Sequence, residues 1–473
     1  MDLQDYASLD AVGLRALIRT GEVSAAEVEA VARRALEHAH ADLNALTMPV
    51  FDPALDHDAT GLLSGVPFVI KDSGPFAKGV PFALGSRGIM GAVAAADHDL
   101  MTRFRAAGLV TLGQTTAPEL GLSFSTEPVK HGPTRNPWAP DRGVGGSSGG
   151  SAALVAAGAV PLAHGNDGAG SIRVPAACCG VVGLKPSRGR TPSGPLAGEM
   201  GFGLVVEFGL ARTVRDVAHL LDAVAAPPIG DKFIAPPPAR PYVDELRADP
   251  GRLRVALTTG AWSGVPVDPQ VAAVVDTMGK VLEWLGHTVV EAGPEIDPDA
   301  LVEAAMLGLF SAGSALLLAQ PGRPEPSLWE AVSRQVFAET EAATALDVMR
   351  SVDAQHRVTR PIGLFFTRHD LLVTPTMGQL PAPHGTLDYD NPAYSPRSWL
   401  RRIFEYGPFT APFNVSGHPA ISLPLGQSRE GLPIGVQLVA PYGREDLLIR
   451  VAAQLEQAVP WHDRRPATFA DLH

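Results

Sequence analysis

Five apolar positions in a row, Val66 to Ile70, stop abruptly at Lys71 and Asp72. A run without a polar face reads as a strand buried on both sides of a sheet. The same signature returns at Leu109–Gly113 (LVTLG), Asp370–Thr374 (DLLVT), Ala420–Pro424 (AISLP) and in GVQLVA at 435–440, with shorter strand-like runs in RVALTTG at 254–260 and at His287–Glu291. Between them the apolar spacing changes to the helical period. Asp10–Thr20 reads as a helix closed by Gly21, and a second helix opens at Ser24, where Ser24 and Glu27 have the spacing of a capping box. Asp97–Gly108 is helical, Val214–Ala226 follows a Thr213 cap, Asp268–Leu285 carries Pro269 at its first position, and Arg444–Gln457 closes the series. Residues 297–360 are helical without a chemical signature. Their most apolar part, Ala304–Ala319, contains Gly and Ser and is short for a membrane span, so it reads as a buried helix. Strand–helix–strand alternation predicts an α/β chain with a mixed, mainly parallel central sheet covered by helices on both faces.

Composition narrows the partners. A length of 473 residues exceeds the usual single-core limit, although large α/β enzymes can carry one extended sheet. A formal net charge of -12 argues against nucleic acid or an anionic membrane as a general partner. The acidic start MDLQDYASLD shows no secretory signal. The two cysteines, Cys178 and Cys179, are neighbours that rarely bridge and have no metal-site spacing, so a reduced, cytoplasmic setting is expected.

The chemistry concentrates between Gly143 and Pro186 (GVGGSSGGSAALVAAGAVPLAHGNDGAGSIRVPAACCGVVGLKP), where two glycine-rich, serine-bearing loops bracket a helix-length run of small residues. The first holds Ser147, Ser148 and Ser151; the second holds Ser171 after Asp167-Gly168-Ala169-Gly170. Four readings compete. The loops are structural turns; or the first cradles a phosphate at a helix N-terminus, although it lacks the Gly-Lys-Ser/Thr ending of a P-loop. In the third, Gly145-Gly146-Ser147-Ser148-Gly149 forms a nucleophile elbow, with His164 and Asp167 completing a triad. That elbow needs a strand directly before it, and TRNPWAPDRGV reads instead as a proline-broken loop. In the fourth, a serine is activated by a neutral lysine. Lys71, at the end of an apolar strand, is where desolvation would disfavour the charged form. The bland alternative pairs it with Asp72 at the surface. Under the fourth reading Ser147 bridges, Ser171 attacks, and the amides before Ser171 form an oxyanion hole.

The blocks GVPFVIKD, GVGGSSGGSAA and GNDGAGSIRVPA…CGVVGLKP, in this order and spacing, resemble the three core blocks of the amidase signature family. The resemblance continues through TRNPW before the loops and APFNVSGHPAISLPLG near the end, and so covers most of the chain. It implies the amidase signature fold as one domain over 1–473, with N-terminal helices at 1–60, a catalytic core at 61–226, a proline-dense connection at 227–252, and the rest of the sheet and the pocket helices at 253–473. It implies an amidohydrolase with a Ser-cisSer-Lys triad and an acyl-enzyme intermediate: Ser171 the nucleophile, Ser147 the cis-serine, Lys71 the base. The amides of Gly168, Ala169, Gly170 and Ser171 then line the oxyanion hole, while Asp167 and Arg173 match positions that shape the loop. The family commonly has Gly-Gly before the nucleophile; here it is Ala169-Gly170, which keeps the hole if Ala169 has negative φ. No metal or organic cofactor is implied.

Within the family, VPLAHGNDGAGSIRVPA, PFNVSGHPAISLPLG and PIGVQLVAPYGREDLLIRVAAQLE resemble the 6-aminohexanoate cyclic dimer hydrolases of nylon oligomer breakdown more than the transamidation subunits. The expected partner is thus a small linear or cyclic amide; the alternative is a glutaminase-type subunit of a tRNA-dependent amidotransferase. Substrate walls are expected from residues 190–210 and 300–400, with Glu119, Phe310, Phe337 and Trp399 as pocket candidates by location. A homodimer is the working expectation for assembly.

Overall fold

The computed structural model describes residues 1–195, 201–227, 229–318 and 325–470. Its strands are β1 (Pro67–Lys71), β2 (Val110–Thr115), β3 (Arg135–Asn136), β4 (Ala139–Gly143), β5 (Leu162–Asp167) and β6 (Val182–Lys185). They continue as β7 (Val206–Ala211), β8 (Arg254–Leu257), β9 (Thr288–Glu291), β10 (Leu371–Pro375), β11 (Ala420–Gln427) and β12 (Pro433–Val439). Ten of them form one sheet in the order β2-β1-β5-β7-β6-β11-β12-β10-β8-β9, and β3 with β4 makes a separate ribbon.

The sheet is mixed, as expected, but parallel pairing is confined to its two flanks. There β2, β1 and β5 run parallel, as do β10, β8 and β9. The middle is antiparallel, because β7 inserts between β5 and β6 and the β11–β12 hairpin joins β6 to β10. The continuous-apolar criterion passed over β5, β6 and β7 (LAHGND, VGLK, VEFGLA), whose glycines and polar residues interrupt the pattern although all are buried end to end.

Successive residues of a strand face opposite sides, and the core divides accordingly. Val255, Leu371, Val373, Ile421 and Leu438 join one apolar cluster, which includes the N-terminal helices and Val217, Leu221 and Leu448. Their chain neighbours Ala256, Leu372, Ala420 and Val439 join a second cluster, built with the helices Pro298–Leu318, Ala331–Ala342, Ala345–Phe365 and Pro396–Tyr406. Both faces of the sheet are therefore covered.

The helix ends follow local chemistry. Asp10 caps Ala11–Thr20, and Gly21 closes it at φ 76°. Ser24 and Glu27 form the full capping box on Ala25–Leu43. Thr213 caps Val214–Val224, and Asp268 precedes Pro269–Trp284. Within the connection 227–252, Tyr242–Glu245 makes one helical turn. The apolar run from Ala304 lies in the helix Pro298–Leu318, and Ala319 lies outside the described residues. Among the described residues no helix is long and apolar enough to cross a membrane.

Leu112 lies on β2, fully buried and remote in sequence from the serine loops. Leu112→Ala is expected to destabilise the fold by about 2–5 kcal/mol through lost burial and the cavity left behind. The check is a lower urea midpoint with an unchanged slope; an unmoved midpoint would contradict the packing described.

Candidate active site

β1 delivers Lys71 into the interior: only 1% of the residue is exposed. Its Nζ donates to Ser147 Oγ at 2.7 Å and to Asn166 Oδ1 at 2.6 Å. Burial lowers the ammonium's proton affinity, while the negative charges of Glu207, Asp167 and Asp72 raise it, and the balance leaves the Lys71 pKa at about 7. Asp72 is not a surface partner. It is equally buried, and its carboxylate accepts the amides of Ala83 and Gly85, both at 2.8 Å.

Ser147 follows β4 and precedes the fully buried helix Gly149–Ala156, with a cis peptide bond between Gly146 and Ser147. The segment before it is thus not a plain loop, since β3 and β4 pair within it. Ser148 binds the loop to its surroundings: its N–H donates to the Ser171 carbonyl (3.2 Å) and its Oγ to the Asn166 carbonyl (3.2 Å). Ser151, one turn into the helix, shares a 2.8 Å hydrogen bond with Thr115 at the end of β2. Gly121 comes close enough to Ser147 that a Cβ there would lie 3.4 Å from its Oγ.

Ser171, 6% exposed, sits on the short connection from β5 to the helix Arg173–Cys179. That connection is strapped from both ends. Asp167 and Arg173 form a fully buried ion pair at 2.9 Å, and Asp167 Oδ2 also accepts the amides of Ile172 (3.2 Å) and Arg173 (3.4 Å). Burial alone would raise the Asp167 carboxyl, but the charge and hydrogen bonds of Arg173 win and hold it at about 2. The rest of the guanidinium donates to the Thr410 carbonyl, Gln437 Oε1 and Asn414 Oδ1 at 2.6–2.9 Å. Asn414 Nδ2 returns to the Asp167 carbonyl at 2.8 Å. Within the strap Gly170 has φ 147°, and a Cβ there would lie 2.3 Å from Thr410 Oγ1, whose hydroxyl donates to the Ala169 carbonyl (2.6 Å). Only glycine fits. Ala169 lies outside the positive-φ region. Among the described residues the amides of Gly168, Ala169, Gly170 and Ser171 have no hydrogen-bond acceptor, so four donors converge on one short loop.

The fold therefore brings Lys71, Ser147 and the Ser171 loop together. His164 and Asp167, the partners of the nucleophile-elbow reading, both lie on β5, where His164 Nδ1 accepts the Lys71 amide (3.5 Å) and Asp167 belongs to Arg173. Of the pocket candidates, Trp399 is buried and donates Nε1–H to the Leu122 carbonyl (2.7 Å), beside the turn that reaches Ser147. Glu119, at the start of that turn, is buried with its carboxylate on the Ser86 hydroxyl (2.6 Å) and the Glu330 amide (2.9 Å). Phe337 packs edge-on against Trp329. Phe310 lies in the helical core, and its neighbour Leu309 is the residue that meets the loop, 2.9 Å from where a Gly168 Cβ would be. Residues 196–200 and 319–324 of the expected substrate walls lie outside the described residues. Asn166, Thr410, Asn414 and Gln437 escaped the reading of the sequence: Thr410, Asn414 and Gln437 stand among apolar neighbours, and Asn166 stands inside the glycine-rich block between His164 and Asp167, where nothing marks it apart. Among the described residues no group of three or more His, Cys, Asp or Glu could hold a metal ion.

The family model described as Amidase matches residues 14–449. The 6-aminohexanoate-cyclic-dimer hydrolase of Paenarthrobacter ureafaciens is 41% identical, with 97% of this chain and 96% of that protein aligned. Among solved structures, 6-aminohexanoate cyclic dimer hydrolase complexed with substrate superposes with a TM-score of 0.92 at 38% identity, covering 98% of this chain and 99% of that one. A bacterial aryl acylamidase of the amidase signature family superposes with a TM-score of 0.84 at 26% identity, covering 97% and 98%.

The strap carries two expected outcomes. Arg173→Ala leaves Asp167 buried and unpaired, and should cost about 3–5 kcal/mol in urea unfolding. Because the Asp167 carboxyl is depressed to about 2, against about 3.9 in an unfolded chain, its contribution is complete above about pH 4 and lost as pH falls towards 2. The melting temperature of Asp167→Asn should lack that acid-side component. A variant whose acid limb matched the native one would remove the strap's role.

Proposed function

The chain belongs to the amidase family and is an amide-bond hydrolase close to 6-aminohexanoate cyclic dimer hydrolase, and from that premise we propose that it opens small linear or cyclic amides through Lys71, Ser147 and Ser171. The observation that carries the reading is the 2.7 Å hydrogen bond between a fully buried Lys71 Nζ and Ser147 Oγ, with the Ser171 loop tied to the same serine segment. A buried lysine poised near neutrality is a competent base for a hydroxyl relay.

Ser171 Oγ attacks the amide carbonyl and forms the new C–O bond. Its proton passes to Ser147 Oγ as the Ser147 proton passes to Lys71 Nζ. The tetrahedral oxyanion lies against the amides of Gly168, Ala169, Gly170 and Ser171, which have no other acceptor to give up. The C–N bond then breaks, and the amine leaves with the proton returned through Ser147. Water attacks the acyl-enzyme by the same relay and regenerates Ser171. The scheme uses no metal or organic cofactor, and the strap holds the four amides in place before substrate arrives, so little reorganisation accompanies the reaction.

Similarity to the cyclic dimer hydrolases over nearly the whole chain supports a cyclic diamide as substrate, ring opening giving one new carboxylate and one new amine. Incubation with the 6-aminohexanoate cyclic dimer, linear amides, aryl amides and glutamine, followed by amine or ammonia release, tests that choice. Turnover of glutamine alone would favour the amidotransferase-type alternative. Ser171→Ala is expected to abolish release and labelling by a serine-reactive probe while leaving the fold intact; near-native turnover would overturn the assignment. Lys71 works as the free amine, so kcat/KM should rise as pH climbs through about 7 and fall away below it. Lys71→Ala should lose most of the activity and that limb together.

A further inference from the structure

Glu207, on β7, is paired in register with Asn166 on β5, and paired residues of an antiparallel ladder project to the same face. Asn166 holds Lys71 Nζ with its Oδ1 and spends its amide protons on the Ser73 carbonyl (3.0 Å) and hydroxyl (3.1 Å). The Glu207 side chain is thus buried beside the lysine, 2% exposed, and among the described residues neither carboxylate oxygen has a hydrogen-bond donor in good geometry. Its surroundings close in tightly. A Cβ on Gly74 would sit 2.4 Å from Oε1, and His164 Nε2, also without a partner, is 4.0 Å from Oε2. Because His164 Nδ1 accepts the Lys71 amide, the neutral ring carries its proton on Nε2, facing Glu207. Burial and the nearby Lys71 charge both keep that ring neutral.

The Asn166 side chain is the least of the influences favouring the charged form of Glu207, and a buried carboxyl without a well-placed donor is costly unless something compensates it. The titratable and charged groups beside this one are Lys71 at the end of β1 and His164 on β5; Asp72 and Asp167 act on Lys71, and His98 acts on His164. Lys71 is the cation among them. Burial raises the Glu207 carboxyl to about 8 against the pull of that cation, and Glu207 is in turn the strongest of the charges raising Lys71. Strongly interacting sites titrate as a pair.

We propose that Glu207 is a positioning residue for the base, an electrostatic counterpart in the same buried layer that sets how tightly Lys71 holds the proton it takes from Ser147. This rests on Lys71 acting as the base. At the working pH one proton is shared between the two groups. As the pair gives up that proton, Lys71 becomes the free amine beside an ionised Glu207 and accepts the proton arriving through Ser147. The negative charge available on Glu207 strengthens the amine as a base and stabilises the ammonium while the tetrahedral intermediate exists. Glu207 forms no bond to substrate and transfers nothing to it.

The test compares pH–rate profiles of native protein, Glu207→Gln and Glu207→Asp, with melting temperatures confirming folding. Gln removes the charge, so Lys71 holds its proton less tightly; the acid limb of kcat/KM should move to lower pH by about one pH unit, as for the loss of a neighbouring opposite charge. A weaker base should also lower kcat at the plateau by roughly threefold to tenfold with KM unchanged. Asp withdraws the charge by one methylene and should shift the limb in the same direction by less. A Gln profile superimposable on the native one, or an Asp shift as large as that of Gln, overturns the proposal. Should the Gln variant fail to fold, the Asp variant decides alone: an acid limb below native supports the proposal, and one at or above native overturns it. Failure of the Lys71 reading is separate, because it shows as turnover retained by Lys71→Ala.

Discussion

A lysine amine sealed at the end of a strand is the constraint around which this site is built. Removing an ammonium from water disfavours its charged form, while carboxylates on neighbouring strands draw the proton back. Neither effect is chemically useful alone. Full desolvation without the acids would leave a weak base, and the acids without desolvation would leave a permanent ammonium. Their opposition places Lys71 near neutrality, at hydrogen-bond distance from a hydroxyl. This needs β1 covered on both faces and flanked by β2 and β5, which the parallel flank of the sheet provides.

The second requirement is a loop of free amides that does not collapse onto its own carbonyls. Between β5 and the helix Arg173–Cys179 the chain has too few residues to form regular structure, and among the described residues the amides of Gly168, Ala169, Gly170 and Ser171 stay unpaired. The loop is held open by Arg173, whose guanidinium ties Asp167 to Thr410, Asn414 and Gln437, residues more than 230 positions further along the chain. A planar fork of donors suits this better than a lysine would, because each N–H already points at a different acceptor. The C-terminal third of the chain thereby takes part in the geometry of a loop it never touches in sequence.

Reading the residues alone located much of this. The apolar run Val66–Ile70 marked a buried strand and put Lys71 at its end, and the glycine–serine loops announced unusual backbone. Caps at Asp10, Ser24, Thr213 and Asp268 set helix starts within a residue, since a cap is a local hydrogen bond between side chain and nearby amide. Strands β5, β6 and β7 were missed for an equally physical reason. Buried between neighbouring strands, they can carry His164, Asn166, Asp167, Lys185 and Glu207 because the tertiary surroundings supply partners or a compensating charge, and those polar residues break the pattern by which a strand is recognised.

What the sequence by itself determined, then, were features whose causes lie within a few residues: strand and helix type, caps, and a lysine ending an apolar run. The tertiary structure alone decided which distant groups share one volume. The contact of Lys71 with Ser147 spans 76 residues, the Asn414 hold on Asp167 spans 247, and Asn166 meets Glu207 only because β7 inserts beside β5. Electrostatic effects depend on distance and burial, and neither has a value until the chain has folded. Lys71 was therefore visible as a residue in an interesting place, and the burial and neighbouring charges that bring it near neutrality came only with the sheet.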